Sequence, residues 1–410
     1  MTERLYYDDS FLYDFDASVV DVIPASAGTP RAAIILDRTA FYPSSGGQTF
    51  DIGLLASGEY VVRVLEVSES DEGAIYHFVD DASYLSRGQA VRGSVDAERR
   101  RDHMQQHSGQ HVLSASFIRL FDMPTVSFHM GEDYCSIDLE TKALSLQQIE
   151  AAERMANEII LEDRLVEIKF VSQQEARVLK LRKFPHAERG LLRLISIRDF
   201  DLSACGGTHV RYTGQIGCIL LRKSEKVRQG SRVEFVCGQR AVKTARRDYT
   251  MLTESASLFS CHIRDVPAQV KKAQAEIKAA HRGREQALEE LAEQHATRLL
   301  SETMTENGRK LVVRLFTDRD LAFLKLLAQK LTGAESHVVA LLGTTTQLSL
   351  LVACSPGQAI DLGGLLRHVA ASHGGRGGGS EEMAQAGVPT HEAVEGVLTD
   401  IAEKIRSLRP

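Results

Sequence analysis

Three histidines recur at four-residue intervals in Arg101-Asp102-His103-Met104-Gln105-Gln106-His107-Ser108-Gly109-Gln110-His111. On an α-helix such residues share one face, so His107 and His111 can grip one ion together, with His103 in the same register. A second segment, Cys205-Gly206-Gly207-Thr208-His209, sets a thiol and an imidazole four residues apart, across two glycines that let the backbone turn tightly. His107, His111, Cys205 and His209 together offer nitrogen and sulfur donors of the number and softness that suit tetrahedral zinc. Ser108 follows His107, so the His-Glu-x-x-His pattern of a zinc peptidase is absent, and with it that enzyme's general base. No carboxylate stands out as a base for hydrolysis, which leaves His103, neutral near pH 7, as the candidate.

Positioning these side chains takes a helix over the histidines and a turn at the cysteine. Ser94 can cap a helix that holds Val95, Asp96 and Glu98 in its first turn and runs to about Phe121. Before it, residues 1–92 read as β-structure. The runs Val19–Ile23, Arg31–Leu36, Tyr60–Val67 and Ala74–Val79 are separated by Gly, Pro, Asp and Ser, as in a small barrel or folded sheet. Residues 93–247 read as α+β, with strands at Val126–Leu139, Val166–Val171, Leu192–Ile197, Gly217–Arg222 and Ser231–Cys237 and a helix at Leu146–Leu161. Residues 248–305 read as a helical spacer. Val270, Ile277, Arg284 and Leu291 share one heptad phase and Ala273, Ala280 and Ala287 the other, a weak seam that offers a homodimer contact. Residues 306–410 read as a small α/β domain ending beyond a glycine-rich loop at 374–379. The fold class expected is therefore α+β, in several domains.

Composition agrees. The chain has 410 residues, 43% hydrophobic and 25% charged, which excludes wholesale disorder and leaves room for two to four domains. No run reaches the ~18 apolar residues of a membrane span, and the polar start is no signal peptide, so a cytoplasmic protein is expected. Six scattered cysteines make no disulfide framework, and the five other than Cys205 read as small buried residues. Residues 1–90 carry a net charge of −10 and residues 177–247 one of +12. A basic stretch on an acidic chain points to an anionic partner, nucleic acid first.

The histidine helix followed by Cys-Gly-Gly-Thr-His resembles the editing domain shared by alanyl-tRNA synthetases and the free-standing alanyl-tRNA editing proteins (AlaX). Upstream, Thr39-Ala40-Phe41-Tyr42-Pro43-Ser44-Ser45-Gly46-Gly47-Gln48, with Asp51-Ile52-Gly53 after it, is similar to the family's barrel motif. Downstream, Gly374-Gly375-Arg376-Gly377-Gly378-Gly379 and Met383-Ala384-Gln385-Ala386-Gly387 resemble the C-terminal domain that closes alanyl-tRNA synthetases and recurs in DHH phosphoesterases. In this order the motifs resemble those of the long form of AlaX.

That resemblance implies hydrolysis in trans of tRNA(Ala) mischarged with serine or glycine. The barrel begins within the first residues, so no aminoacylation domain is expected. A second, hydrolytic site answers a physical problem: one methylene or hydroxyl changes binding by only about 1–3 kcal/mol, too little to exclude serine or glycine from an alanine pocket. The resemblance places Thr39 in the amino-acid pocket, its hydroxyl pairing with that of serine, and a Thr39→Val change is expected to leave the fold intact. It places Gly46, Gly47 and Gln48 against the substrate, and Arg376, Gly377 and Gly378 on RNA. A non-catalytic tRNA-binding protein with a structural zinc is the alternative.

Overall fold

Alternation builds the first element. In the strand Asp14–Ile23, Phe15, Ala17 and Val19 point inward while their neighbours face solvent. Six such strands close a barrel in the order Asp14–Ile23, Ala33–Leu36, Ile75–Val79, Tyr60–Glu69, Gly53–Ser57, Ala90–Val95. Its core gathers Ile34, Leu36, Phe41, Leu55, Val64, Val67 and Ile75. This is the structure of a computed structural model, which describes residues 2–25, 31–182, 191–228 and 230–408. The chain divides into two units, Met1–Glu254 and Ser255–Pro410.

The barrel reaches further than its sequence suggests. Ser94 lies in the last barrel strand, opposite Leu54 and Asp14, and does not cap the following helix. The cap is Asp96, whose carboxylate accepts from the Arg99 amide, and helix α1 spans Ala97–Phe121. An Asp capping side chain competes better here than a Ser still engaged in a strand ladder.

Around α1 the N-terminal unit wraps a four-stranded sheet, ordered Ile219–Val227, Gly230–Cys237, Cys135–Leu139, Thr125–Met130. A three-stranded sheet, Val166–Val171, Leu192–Ile197, Asp201–Ala204, also belongs to it. The expected single strand over 126–139 is a hairpin, with Thr125–Met130 antiparallel to Cys135–Leu139. Helix α2, Leu146–Leu161, starts at a capping box of Ser145 and Gln148 and packs on α1. Helix α3 (Gln173–Val178) is short. Helix α4 (Gly238–Leu258) begins ten residues before the expected spacer.

Helix α5 covers Val266–Glu302 in one piece. The heptad seam is exposed at Ile277, Ala280, Arg284 and Ala287. Only its last turns are buried: Ala292, Ala296, Leu299 and Leu300 enter the core of the C-terminal unit against α6 (Leu321–Ala334). That unit is a six-stranded sheet between helices. Alternate residues of Val338–Thr344 serve two cores: Val338, Ala340 and Leu342 face α5 and α6, while Val339 and Leu341 face α7 (Leu362–Ser372) and α8 (His391–Ser407). The glycine-rich segment is no loop. Arg376–Gly379 is an edge strand paired with Met383–Gly387. Among the described residues, no helix is long and apolar enough to cross a membrane.

Candidate metal centre

His107 and His111 come from adjacent turns of α1. Cys205 and His209 come from the turn that leaves the strand Asp201–Ala204. Their donor atoms all lie within 4.8 Å of one another. Cys205 Sγ stands 3.4 Å from His107 Nε2 and 3.3 Å from His209 Nε2. A tetrahedron with metal–nitrogen bonds of ~2.0–2.1 Å and a metal–sulfur bond of ~2.3 Å has nitrogen–sulfur edges of roughly 3.5 Å, so the spacing fits one ion.

The other ring nitrogens explain why the donors converge. His107 Nδ1 lies 2.7 Å from Gln48 Oε1, which can only accept, so Nδ1 carries the proton and Nε2 the free lone pair. His111 Nδ1 lies 3.2 Å from the Asp201 carboxylate, with the same consequence. His209 Nδ1 faces Ser108 Oγ at 3.1 Å. Hydrogen-bond partners of this kind fix ring orientation and tautomer in metal sites. Burial raises the Cys205 thiol, but the imidazoles of His107 and His209 outweigh it and hold the thiol well below its ordinary value. A thiolate beside imidazoles with free nitrogens is the ionisation state a metal needs. Burial also pushes the Asp201 carboxyl up; the hydrogen bond with His111 and the charge of Arg182 overcome it and bring the group down to about 2.

Glycine is required at Gly207, where a Cβ would sit 2.0 Å from the His107 ring. Arg193 braces the same turn. It is buried, and its Nη1 donates to the carbonyl oxygens of Cys205 (2.7 Å) and Gly207 (2.9 Å).

Other expected site residues take other roles. Gln48 is engaged within the cluster: it accepts from His107 and the Thr208 amide and donates to Thr208 Oγ1. Gly46 and Gly47, with φ of +57° and +86°, are the central pair of a tight turn closed by Ser45 and Gln48. A Cβ on Gly47 would also strike the Phe128 carbonyl oxygen at 2.5 Å, so packing demands this glycine. His103 is outside the cluster. It is buried, bonds Thr49 Oγ1 at 3.2 Å, and leaves Nδ1 without a partner. Burial, helped by Arg99, Arg240 and Arg100, lowers it to about 3, which makes it a poor proton acceptor at pH 7. It lines a cleft of about 990 Å³ with Thr49, Arg99, Arg101, Lys243 and Arg247.

Thr39 is fully buried, and its hydroxyl already has partners: the Phe41 amide donates to it, and His77 Nε2 lies 2.8 Å away. His77 Nδ1 faces the Ile34 carbonyl at 2.9 Å, so Nδ1 holds the proton and Thr39 donates to Nε2. One acceptor lone pair of Thr39 remains. Thr39→Val would strand two buried groups, so the change is not structurally silent as expected.

The basic stretch divides: some of its arginines are engaged in ion pairs or buried, while Arg177, Lys180, Arg198, Lys226 and Arg228 are exposed. Arg182 pairs with Asp201, Arg232 with Asp138, Arg240 with Asp102, Arg222 with Asp248 and Arg211 with Asp9, and Arg193 is buried. Lys243, Arg246 and Arg247 of α4 are exposed. Lys183 and Arg189 fall outside the described residues. In the C-terminal strand, Gly377 and Gly379 have no room for a Cβ against Ala386 and Ala384, so close strand pairing accounts for them. Arg376 is exposed, and Arg367 lies beside Gly378.

Sequence reasoning missed Asp201, Ser108, His77 and Arg193. Their partners are distant in the chain, and no spacing announces them. Of the other cysteines, Cys135, Cys237 and Cys354 are buried, whereas Cys218 and Cys261 are half-buried.

Comparison with known proteins adds an independent line. Three family descriptions match in order: tRNA synthetases class II (A) over residues 6–99, the threonyl and alanyl tRNA synthetase second additional domain over 192–233, and the DHHA1 domain over 307–407. The alanyl-tRNA editing protein AlaX-L of Pyrococcus horikoshii is 32% identical over 419 residues, 99% of each chain. Alanine–tRNA ligases of Thermococcus kodakarensis and Pyrococcus abyssi are 29% and 28% identical; the chain spans only 44% and 43% of their length.

Proposed function

The chain belongs to the alanyl-tRNA editing protein family, and we propose that it deacylates Ser-tRNA(Ala), and Gly-tRNA(Ala), in trans. The observation that carries this reading is the cluster itself: three imidazole nitrogens and one thiolate aimed at one point, in a chain similar end to end to an AlaX-L protein. Zinc is the ion we assign to it, because the donors are three nitrogens and one sulfur. When bound, zinc supplies Lewis acidity toward an ester carbonyl or a water, and it also ties α1 to the cysteine turn.

The chain's own residues do the rest. Gln48, Asp201 and Ser108 hold the histidine rings. Cys205 is the cluster member that is not fully buried, and Gly206 beside it is exposed, so the ester approaches from that side. Selection of serine over alanine by Thr39 uses its one remaining lone pair, so the seryl hydroxyl must donate, and alanine has no such donor; release of glycine does not draw on this contact. Arg376, with Arg367, is the proposed RNA contact of the C-terminal unit, and the exposed Lys243, Arg246 and Arg247 that of α4.

Incubation of the purified protein with Ser-, Gly- and Ala-tRNA(Ala) tests the reading. Release of serine is expected to be fastest and release of alanine slowest. Equal rates for all three, matching the spontaneous rate, would refute it.

A further inference from the structure

The cluster has one open side, and a tyrosine stands at it. Tyr7 ends the turn Leu5–Tyr7, which the amides of Asp8 and Asp9 close onto the Leu5 carbonyl. Its phenolic oxygen lies against Gly206: a Cβ there would sit 3.3 Å away. Two arginines fix the ring. The Arg4 guanidinium lies 5.3 Å from the ring centroid and that of Arg193 also 5.3 Å. Arg193 Nε further donates to the Tyr7 carbonyl at 2.9 Å, and its Nη1 to the carbonyls of Cys205 and Gly207. One buried arginine thus ties Tyr7 and the cysteine turn to a single rigid body.

The hydrogen bonding gives the phenol a direction. Arg4 Nη1 donates to the Tyr7 oxygen at 2.8 Å. A guanidinium cannot accept, so the phenolic hydrogen is not used there. Among the described residues the Tyr7 O–H donates to no acceptor, and Tyr7 is half-buried. A fixed donor whose hydrogen is free stands where the only solvent-reachable ligand of the cluster emerges. Preorganised donors of this kind stabilise charge that develops on an oxygen during acyl transfer.

Resting on the deacylase reading above, we propose that Tyr7 is a catalytic residue whose O–H donates to the carbonyl oxygen of the aminoacyl ester. Water adds to the carbonyl carbon, the carbonyl oxygen gains negative charge, and Tyr7 hydrogen-bonds to it while keeping its own proton. The bond to the ribose oxygen then breaks, that oxygen takes up the proton released by the attacking water, and the free amino acid and tRNA leave.

The test is Tyr7→Phe in the full chain, which keeps the ring beside both arginines. With Ser-tRNA(Ala), kcat is expected to fall roughly 10- to 100-fold, less than the ~10²–10³ of an enclosed oxyanion donor because Tyr7 is half-buried. Zinc content, thermal midpoint and affinity for a non-hydrolysable seryl-amide of adenosine should stay within threefold of wild type. A kcat within threefold of wild type overturns the role. Loss of zinc in the variant overturns it too, since Tyr7 would then act through the cysteine turn. An analogue affinity that falls as far as kcat would make Tyr7 a ground-state contact and overturn the transition-state role. An inactive wild-type chain would instead sink the deacylase reading itself, and Tyr7's role with it.

Discussion

The two units bury different things. The C-terminal unit has an apolar interior, in which only Thr344 and Ser355 are polar and buried among the described residues. The N-terminal unit buries Asp51, His77, Arg100, His103, Gln106, Arg193, Asp201 and the three cluster histidines. Buried polar groups destabilise a fold unless each is paired. The C-terminal unit follows the simpler rule. In the N-terminal unit the polar interior is concentrated on α1, whose length from His103 to Ser116 is buried on all sides. Such a helix is unusual for pure packing; it makes sense where side chains must be held against one another and an ion. The difference locates the chemistry without reference to any relative.

The comparison can be broken first at Asp51. It is fully buried, pairs with the equally buried Arg100, and accepts from the Tyr42 amide. Asp51→Ala leaves a buried guanidinium unpaired and should destabilise the N-terminal unit by about 3–5 kcal/mol. Urea unfolding reads this; a loss under about 1 kcal/mol would mean that the polar interior is not under such constraint.

Acid is the next lever. Burial lowers His77 to about 4, below its ordinary value near 6.5, so the fold prefers the neutral ring. The stability tied to this preference is complete above pH ~6.5 and drains as pH falls toward 4, by about 2–3 kcal/mol. Wild type should lose that much more than His77→Gln between pH 7 and 4.5. Parallel pH curves for the two proteins would show that His77 is not held neutral.

Gln48→Ala removes the acceptor that orients His107. Zinc affinity should weaken about 10- to 100-fold, as for other residues that hold metal ligands in place. A competition titration with a chelator measures it, and an unchanged affinity would leave His107 oriented by packing alone. The smallest effect is expected in the C-terminal unit. Ser355→Ala removes an Oγ that donates to Glu335 and accepts from the Val338 amide, and should destabilise by about 1 kcal/mol. A change as large as that for Asp51 would erase the contrast between the units.

How much of this could be read from residues alone follows the same division. Helix α2, the strands Val166–Val171 and Leu192–Ile197, and most of the C-terminal unit follow local periodicity and caps, which a sequence carries openly. The four cluster residues were legible because each pair is local, four apart on a helix or across a turn. What holds them was not. Asp201 meets His111 across 90 positions and Gln48 meets His107 across 59, and nothing local marks such pairs. His103 shared the helical register but not the cluster, because one further turn carries it toward the cleft beside Thr49. The glycines near residue 376 read as a loop because glycine is rare inside strands; here close pairing with Ala384 and Ala386 requires it.

The central claim is that His107, His111, Cys205 and His209 hold one zinc. Zinc-edge X-ray absorption on the purified full chain tests it most directly. One zinc per chain is predicted, with three nitrogen neighbours at ~2.0–2.1 Å and one sulfur at ~2.3 Å, the sulfur shell vanishing in Cys205→Ser. A spectrum without sulfur in the wild type, or an unchanged one in the variant, would contradict the account.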